Sequence, residues 1–406
     1  MSVTAAKGFL AGGIACGIKP SGNPDLALVV TASRESVPTA AVFTSNLVQA
    51  GPVRVSKQHL ANGRATAVIL NSGNANAATG AQGRSNARRM CELTSLSLSI
   101  DGAAVAQEDV LVCSTGLIGI PLKMDPIEAG IPILATMLGK DAEAGSSANQ
   151  AILTTDTVRK ESSVKFETSP VGNMATVGGM AKGAAMLSPA MATMLCVLTT
   201  DARVEVEALQ SALTSAVAAS FDQLDIDGSR STNDTVIIMS SGAAGGPHIT
   251  VESGEIFARF VSAVTSVCAD LAEKMARDAE GATKFVKVVV RGARSAADAR
   301  IAARAVSRSQ LVQCSLYGGD PYWGRVLSEL GASGAYLDPE LVDISYNGII
   351  VCRDGIACTH DEASLSVAMN EVDIEIVADL HQGSGESVFL TTDLSPAYIA
   401  ENMRTS

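Results

Sequence analysis

The stretch Ser188–Ala202, SPAMATMLCVLTTDA, lies near the middle of the chain and is almost entirely apolar. Within it Thr193 stands among apolar residues and follows the small residue Ala192. One interpretation is a buried β-branched residue whose hydroxyl bonds a neighbouring carbonyl. The other is that the bond before Thr193 is cut, so that Thr193 becomes a new N-terminus. The stretch alone leaves both interpretations open.

The uncharged run around this stretch, 183–200, is long enough to suggest a membrane span, but it contains Pro189, Ser188 and three threonines. It therefore predicts a buried segment of a folded protein. The first twenty residues carry one lysine and a glycine-broken apolar patch, which is a weak match to a signal peptide. We expect a soluble, cytoplasmic protein with no membrane partner.

Outward from the stretch, short apolar runs alternate with helical patterns, which indicates an α/β or α+β fold. The pattern leaves parallel and antiparallel pairing undecided. Strands are predicted at 25–30, 39–44, 65–70, 109–113 and 284–292, and helices at 87–98, 125–139, around 204–220 and over 257–275. The last helix is expected to end at DAEG, with Gly281 as its stop.

Composition changes little across residue 193, so no domain boundary is visible there. If the chain is cut before Thr193, its two parts must be interleaved pieces of one fold. The chain has 406 residues, 47% hydrophobic and 18% charged, which is globular composition. A net charge of −12 argues against a nucleic-acid partner. The eight cysteines form no CxxC pair, which favours free thiols in a reducing compartment.

Familiar catalytic motifs such as GxSxG, GxxxxGK[ST] and HExxH are missing from the sequence, and the four histidines are far apart. Histidines so far apart are typical of surface or loop positions, so a base other than histidine is favoured. If the bond before Thr193 is cleaved, the free α-amine has a pKa near 8, so about a tenth of it is neutral at pH 7. Such an amine can activate the hydroxyl of its own residue, as in N-terminal threonine nucleophiles.

Four other residues are candidates for the same site. Thr115 and Gly116 follow an apparent strand, and the Thr115 hydroxyl and Gly116 amide are suited to an oxyanion hole, although an ordinary turn is the alternative. Lys182 is the only charge in a glycine-rich apolar stretch, and it either snorkels or binds a carboxylate. Glu280 opposes the macrodipole at a helix C-terminus, which is either a functional signal or a frayed, solvated end.

Seven blocks of sequence together resemble the ornithine acetyltransferases of arginine biosynthesis, in the form that also draws acetyl groups from acetyl-CoA. The resemblance runs from about Gly8 to the C-terminus. The blocks are LNSGNANAATGAQG at 70–83, CSTGLIG at 113–119, ILTTDT at 152–157, KGAAMLSPAMATMLCVLTTDA at 182–202, DIDGSRSTNDT at 225–235, DAEGATKF at 278–285 and GGDPYWGR at 318–325.

The resemblance implies self-cleavage between Ala192 and Thr193 into an α chain (1–192) and a β chain (193–406) that stay associated as α2β2. It implies an α/β sandwich similar to N-terminal-nucleophile hydrolases but with its own topology. Thr193 would take acetyl from N2-acetylornithine and pass it to glutamate in a ping-pong reaction. No metal or organic cofactor is implied, and acetyl-CoA enters only as a possible co-substrate.

The resemblance also assigns residues to roles. Thr115 and Gly116 match the oxyanion pair. The matches to substrate-binding positions are Thr155, Lys182, Thr193, Glu280, Asn402 and Ser406. Tyr322 and Arg230 depart from the family pattern, and the tail is about one residue short, so Thr405 and Ser406 are alternatives for the terminal position.

Two rival hypotheses remain at this point. One is an N-terminal-threonine amidohydrolase that passes the acyl group of N-acyl amino acids to water. The other is a non-enzymatic binding or scaffold protein in which Thr193 is merely buried.

Overall fold

The computed structural model describes residues 2–99, 104–169, 172–188 and 194–403. Pro189, Ala190 and Met191, the proposed cleavage pair Ala192 and Thr193, and the terminal candidates Thr405 and Ser406 lie outside the described residues.

The described residues form strands and helices in an interspersed order. The strands are β1 (Phe9–Ile14), β2 (Leu26–Thr31), β3 (Val37–Phe43), β4 (Arg64–Ala65), β5 (Ala67–Asn71), β6 (Val110–Ser114), β7 (Lys160–Glu167), β8 (Met174–Lys182), β9 (Leu195–Thr200), β10 (Thr235–Ser240), β11 (Phe285–Ala293), β12 (Asp343–Tyr346), β13 (Ile349–Arg353), β14 (Ile356–Ala357), β15 (Asp373–Asp379) and β16 (Gly385–Thr392). The helices are α1 (Gly51–His59), α2 (Gly80–Leu98), α3 (Asp125–Thr136), α4 (Ala142–Ile152), α5 (Val206–Ala218), α6 (Glu255–Arg277), α7 (Ala296–Ser307), α8 (Gln310–Tyr317), α9 (Trp323–Ala332), α10 (Glu362–Asn370) and α11 (Pro396–Asn402).

Three mixed sheets organise these strands within the described part of the chain. Their strand orders are β1-β2-β5-β6, β4-β3-β10-β9-β8-β7 and β14-β13-β12-β15-β11-β16. Each sheet contains one parallel pair, β5 with β6, β9 with β10 and β11 with β15, among antiparallel neighbours. The predicted α/β class is confirmed.

The first two sheets pack face to face, and helices cover their outer faces. Val29, Val68 and Val197 belong to the core between the sheets. Helices α2 and α3 cover the outer face of the first sheet, and α5 and α6 cover that of the second. Since strands of both inner layers are buried on both faces, they are continuous apolar runs such as LALVVT in β2. The result is the α/β sandwich that the family resemblance implies.

The segments before and after residue 193 contribute neighbouring strands to one sheet. Strand β9 lies between β8 and β10, with Lys182 opposite Leu195 in an antiparallel register and Thr235 beside Leu195 in a parallel one. Segments from both sides of residue 193 therefore share one sheet, which is the arrangement required if the chain is cut there. The buried interpretation of the apolar stretch is also confirmed for Leu195–Thr200.

The helix predicted over 257–275 is α6, which ends at Arg277 with Asp278 as its C-cap. The prediction that Gly281 stops this helix is wrong, because Gly281 lies four residues beyond the last helical position. Gly281 instead has φ +65°, and a Cβ there would lie 2.2 Å from the backbone nitrogen of Tyr398. This glycine therefore allows α11 to approach the turn that carries Glu280.

Candidate functional site

Met194 is the first described residue after the proposed cleavage point, and buried hydrogen bonds hold it. Its N–H donates to Asp234 Oδ1 at 3.0 Å, and its carbonyl accepts from the Thr235 N–H at 3.2 Å. Asp234 is fully buried, and this burial raises the pKa of its carboxyl well above the usual value. The start of β9 is thus fixed to the start of β10.

The neighbouring side chain, Asn233, reaches the loop that carries Thr115. Its amide nitrogen donates to the carbonyls of Ser114 at 2.8 Å and Ala75 at 2.6 Å. Ser114 ends β6 and directly precedes Thr115. Two consecutive residues, Asn233 and Asp234, therefore join the candidate oxyanion turn to the backbone that follows residue 193.

In the turn at Thr115 and Gly116, Thr115 is buried and Gly116 is exposed, but the Gly116 backbone is closely packed against another loop. The Thr115 N–H donates to the Asn71 carbonyl at 3.0 Å, so this amide is engaged. The Thr115 hydroxyl and the Gly116 N–H are then the groups that suit an oxyanion. Gly116 has φ +127°, and a Cβ there would lie 2.4 Å from the Gly73 carbonyl carbon. Only glycine fits this close backbone approach.

Lys182 ends β8 and is 2% exposed. Its ammonium donates to Thr154 Oγ1 at 2.6 Å and lies 3.4 Å from Asp156 Oδ2. Of the two interpretations from sequence, carboxylate binding is confirmed and snorkelling is wrong. The substrate-binding candidate Thr155 is exposed beside these partners, and the hydroxyl on Lys182 belongs to Thr154.

Asp156 carries the strongest electrostatic perturbation of this cluster. Burial by itself raises the pKa of this carboxyl, but the ammonium groups of Lys182 and Lys160 outweigh it and hold the pKa well below the usual range. The N–H groups of Gly183 and Thr154 also donate to Asp156, at 2.7 and 3.1 Å. Asp156 is therefore ionised and connects the β8 end to the 153–157 turn.

Glu280 is half-buried in the turn after α6, and two partners anchor it. Its N–H donates to the Ala184 carbonyl at 2.9 Å, and its Oε2 accepts from Asn402 Nδ2 at 2.7 Å. The Asn402 amide also donates to the Tyr398 carbonyl within α11. The structure thus brings together Glu280 and Asn402, two candidates 122 residues apart, and the frayed-end interpretation of Glu280 is wrong.

The segment 183–188 follows Lys182 and makes contacts with the turn that carries Glu280 and with the loop that precedes β10. Besides the Ala184 contact with Glu280, the Met186 N–H donates to Asp227 Oδ2 at 2.6 Å and the Leu187 carbonyl accepts from Ile226 at 2.7 Å. Asp227 also accepts from the Tyr398 hydroxyl at 3.4 Å. Both described ends of the chain around residues 189–193 are therefore tied to the 225–235 loop.

Several residues that build this region were not singled out from the sequence. Three of them, Asn233, Asp234 and Asp156, lie inside blocks that carry the family resemblance, and this location is the signal by which the sequence could have identified them. Lys160 and Lys19 had none, because a lysine is ordinarily expected at the surface. The Lys19 ammonium donates to the Leu153 and Pro24 carbonyls, both at 2.7 Å.

The two departures from the family pattern lie at the surface. Tyr322 is exposed at the N-cap of α9, and the Arg325 guanidinium lies 5.2 Å from its ring centroid. Arg230 is exposed, and its carbonyl accepts from Asn46 Nδ2 at 3.2 Å.

The described ranges lack two features, a membrane-spanning helix and a cluster of metal-binding side chains. Across these ranges, no helix combines the length and apolar character that crossing a membrane requires. Over the same ranges, His, Cys, Asp and Glu side chains do not gather in threes in a way that could hold a metal ion.

Comparisons with known proteins place this chain in a family. The ArgJ family model matches residues 10–405. Arginine biosynthesis bifunctional protein ArgJ of Mycobacterium bovis is 46% identical over 98% of this chain and 95% of its own length, and that of Streptomyces coelicolor is 45% identical over 99% of both. A solved structure of ornithine acetyltransferase complexed with ornithine, from Mycobacterium tuberculosis, is 42% identical over 46% of this chain and 94% of that chain, with a TM-score of 0.42. This chain belongs to the ArgJ family.

Proposed function

We propose that this chain transfers an acetyl group from N2-acetylornithine to glutamate in arginine biosynthesis, through Thr193 exposed by cleavage after Ala192. Membership of the ArgJ family supports the acetyltransferase activity. The observation that carries the mechanism is the pair Asn233 and Asp234, which joins Ser114, next to Thr115, to Met194, next to Thr193. A nucleophile at 193 and an oxyanion hole at 115–116 require this proximity.

The reaction has two half-reactions at one site. The Thr193 α-amine takes the hydroxyl proton while Oγ attacks the acetyl carbonyl. The amide C–N bond then breaks and the proton passes to the departing nitrogen. Ornithine is released, and the acetyl group remains on Thr193 as an ester. The glutamate amine attacks this ester, Thr193 regains its proton, and N-acetylglutamate leaves. The Thr115 hydroxyl and Gly116 N–H stabilise the oxyanion in both half-reactions.

The remaining candidates bind parts of the two substrates away from the acetyl carbonyl. Lys182, a buried cation, suits the α-carboxylate of either amino acid. Glu280, held by Asn402, suits the ammonium of the ornithine side chain or a proton relay. Thr155, Asn402 and a terminal residue, Ser406 or Thr405, complete the proposed pocket.

The proposed assembly is an α chain, 1–192, and a β chain, 193–406, paired as α2β2. Support comes from β9, which is hydrogen-bonded to β8 of the α part and to β10 of the β part. Cleaved parts that share a sheet stay together, because separating them would expose a row of buried backbone groups. We also propose that acetyl-CoA can donate acetyl to glutamate, in keeping with the word bifunctional in the relatives' names.

An intact mass spectrum combined with an ornithine-release assay tests the proposal. We expect two fragments that meet at Ala192 and Thr193, the second heavier by one acetyl group after N2-acetylornithine is added. Thr193→Ala should abolish both cleavage and labelling. Ornithine release that is indifferent to glutamate would favour the amidohydrolase alternative, and an uncleaved, unlabelled chain would contradict the proposal.

A further inference from the structure

Lys160, the first residue of β7, is fully buried between two carboxylates. Its ammonium lies 2.7 Å from Asp156 Oδ1 and 2.5 Å from Asp278 Oδ2, and the Lys160 side chain is 0% exposed. A lysine in this position loses its hydration and is retained only with strong ionic partners. The ion pairs form a chain, Lys182–Asp156–Lys160–Asp278, that crosses from the part before residue 193 to the part after it.

The distances within this chain are unequal, and the inequality concerns Lys182. Asp156 Oδ1 takes short contacts from Lys160 and the Gly183 N–H, both at 2.7 Å. Lys182 instead donates its short bond, 2.6 Å, to the neutral hydroxyl of Thr154, and its ammonium stays 3.4 Å from Asp156 Oδ2. Lys160 therefore makes the short ion pair with Asp156, and Lys182 makes the longer one.

The other groups around these four ion-paired residues are consistent with an arrangement in which Lys160, and not Lys182, makes the short contact with Asp156. Asp278 is also satisfied by the N–H groups of Thr157 and Val158, at 3.0 and 3.3 Å, and by the Thr157 hydroxyl. The Lys19 ammonium, on the Leu153 carbonyl, interacts electrostatically first with Asp25 and then with Lys182 and Asp156. The charge of Lys19 is therefore paired mainly with Asp25.

We propose that Lys160 is a positioning residue for substrate binding, because by pairing with Asp156 it keeps the Lys182 ammonium available to a substrate carboxylate. The inference rests on the proposed function, in which Lys182 binds the α-carboxylate of both amino acids. Without Lys160, Asp156 is left with Lys182 as its nearest cation and draws that ammonium away from substrate.

The test is a set of variants of the full chain, assayed for KM and kcat with N2-acetylornithine and glutamate. Lys160→Met is expected to raise both KM values about tenfold with little change in kcat, because a ground-state binding charge is lost. Lys160→Met combined with Asp156→Asn removes the competing carboxylate, and should restore both KM values to within about threefold of the unmodified enzyme. Lys274→Met, which removes an exposed pair with Asp270 on α6, is the matched control.

The double variant separates positioning from packing. If Lys160 only stabilises the fold, removing Asp156 as well would leave KM unrestored, and that result would overturn the proposal. Should Lys160→Met fail to fold, Asp278→Asn replaces it. The expected effect of Asp278→Asn is a lower KM, because Lys160 then pairs with Asp156 alone and Lys182 is freer to bind substrate. An unchanged or higher KM would contradict the inference. An unmodified enzyme without transferase activity overturns the proposed function itself, whereas an active one with an unaffected Lys160→Met variant overturns only the role of Lys160.

Discussion

The side-chain amide of Asn233 donates a 2.8 Å hydrogen bond to the carbonyl of Ser114, 119 residues earlier in the chain. The next residue, Asp234, accepts the N–H of Met194. Two adjacent side chains at the start of β10 thus set the distance between the proposed oxyanion turn and the proposed nucleophile. Relative placement of such groups to within an ångström governs the rate of acyl transfer.

Asn233→Ala is expected to lower kcat by about 100-fold, because the turn at Thr115 loses its support and the oxyanion donors shift. Two buried carbonyls also lose their donor, which costs about 2 kcal/mol in the free energy of unfolding. Steady-state kinetics and thermal unfolding check both effects. Asn46→Ala, which removes an exposed bond to the Arg230 carbonyl, is the control. An Asn233→Ala enzyme with normal kcat would show that the turn does not depend on this anchor.

Gly116→Ala is expected to abolish transfer and to lower the unfolding temperature. The new Cβ would lie 2.4 Å from the Gly73 carbonyl carbon and 2.6 Å from the Asn74 nitrogen, so the backbone of one loop must move. Gly119→Ala is the matched control, since Gly119 also has positive φ but no neighbour within 4 Å of its added Cβ. If both variants lose activity equally, backbone strain rather than the close approach explains the effect.

Much of the layered fold follows from local patterns in the sequence. The apolar runs of β2, β5 and β6 have the length of strands and are too short for helices. The three- and four-residue spacing of Val264, Cys268 and Leu271 specifies the buried face of α6. The parallel pairing of β9 with β10 could not be predicted, because it depends on contacts between segments about 40 residues apart. Most strands of the third sheet were missed for a similar reason, since short half-buried strands such as β12 carry weak patterns.

The sequence allowed several residues of the candidate site to be predicted, but few of the contacts between them. Lys182 was singled out as a lone charge in an apolar stretch, and it is buried on Asp156. The burial of Lys160 could not be predicted from the sequence. Its second partner, Asp278, is 118 residues away, and a lysine that follows Arg159 suggests a solvated strand end. Buried ion pairs that join distant segments leave no local signature.

Acid stability offers a test of the ion pairs around Asp156. The pKa of Asp156 is lowered in the folded protein. As the pH falls below the ordinary carboxyl pKa near 4, Asp156 therefore takes up a proton in the unfolded chain but stays ionised in the folded chain. The stability from this group is therefore present above about pH 5 and is lost progressively as pH falls. Asp156→Asn should flatten the fall in unfolding free energy between about pH 5 and pH 3, measured by urea titration.

The control for this measurement is Asp373→Asn. Asp373 pairs with Arg277 at 2.6 Å, but both side chains are exposed, and its lowered pKa is due first to that hydrogen bond. Exposed pairs contribute little to stability, so this variant should keep the acid dependence of the unmodified chain. Equal slopes in all three proteins would mean that Asp156 does not carry the acid sensitivity.

Asp234→Ala is expected to slow self-cleavage at Ala192–Thr193 by about tenfold or more, because the buried Met194 N–H loses its acceptor and the peptide after residue 193 is no longer held. Asp234→Asn keeps an acceptor oxygen of the same size and should cleave at a rate close to that of the unmodified chain. The conversion of precursor to fragments, followed by denaturing gel and intact mass after synthesis in a cell-free system, measures both rates. Fast cleavage in Asp234→Ala would separate Asp234 from the processing step. Slow cleavage in both variants would instead assign the effect to its carboxyl proton, which burial retains to an unusually high pH.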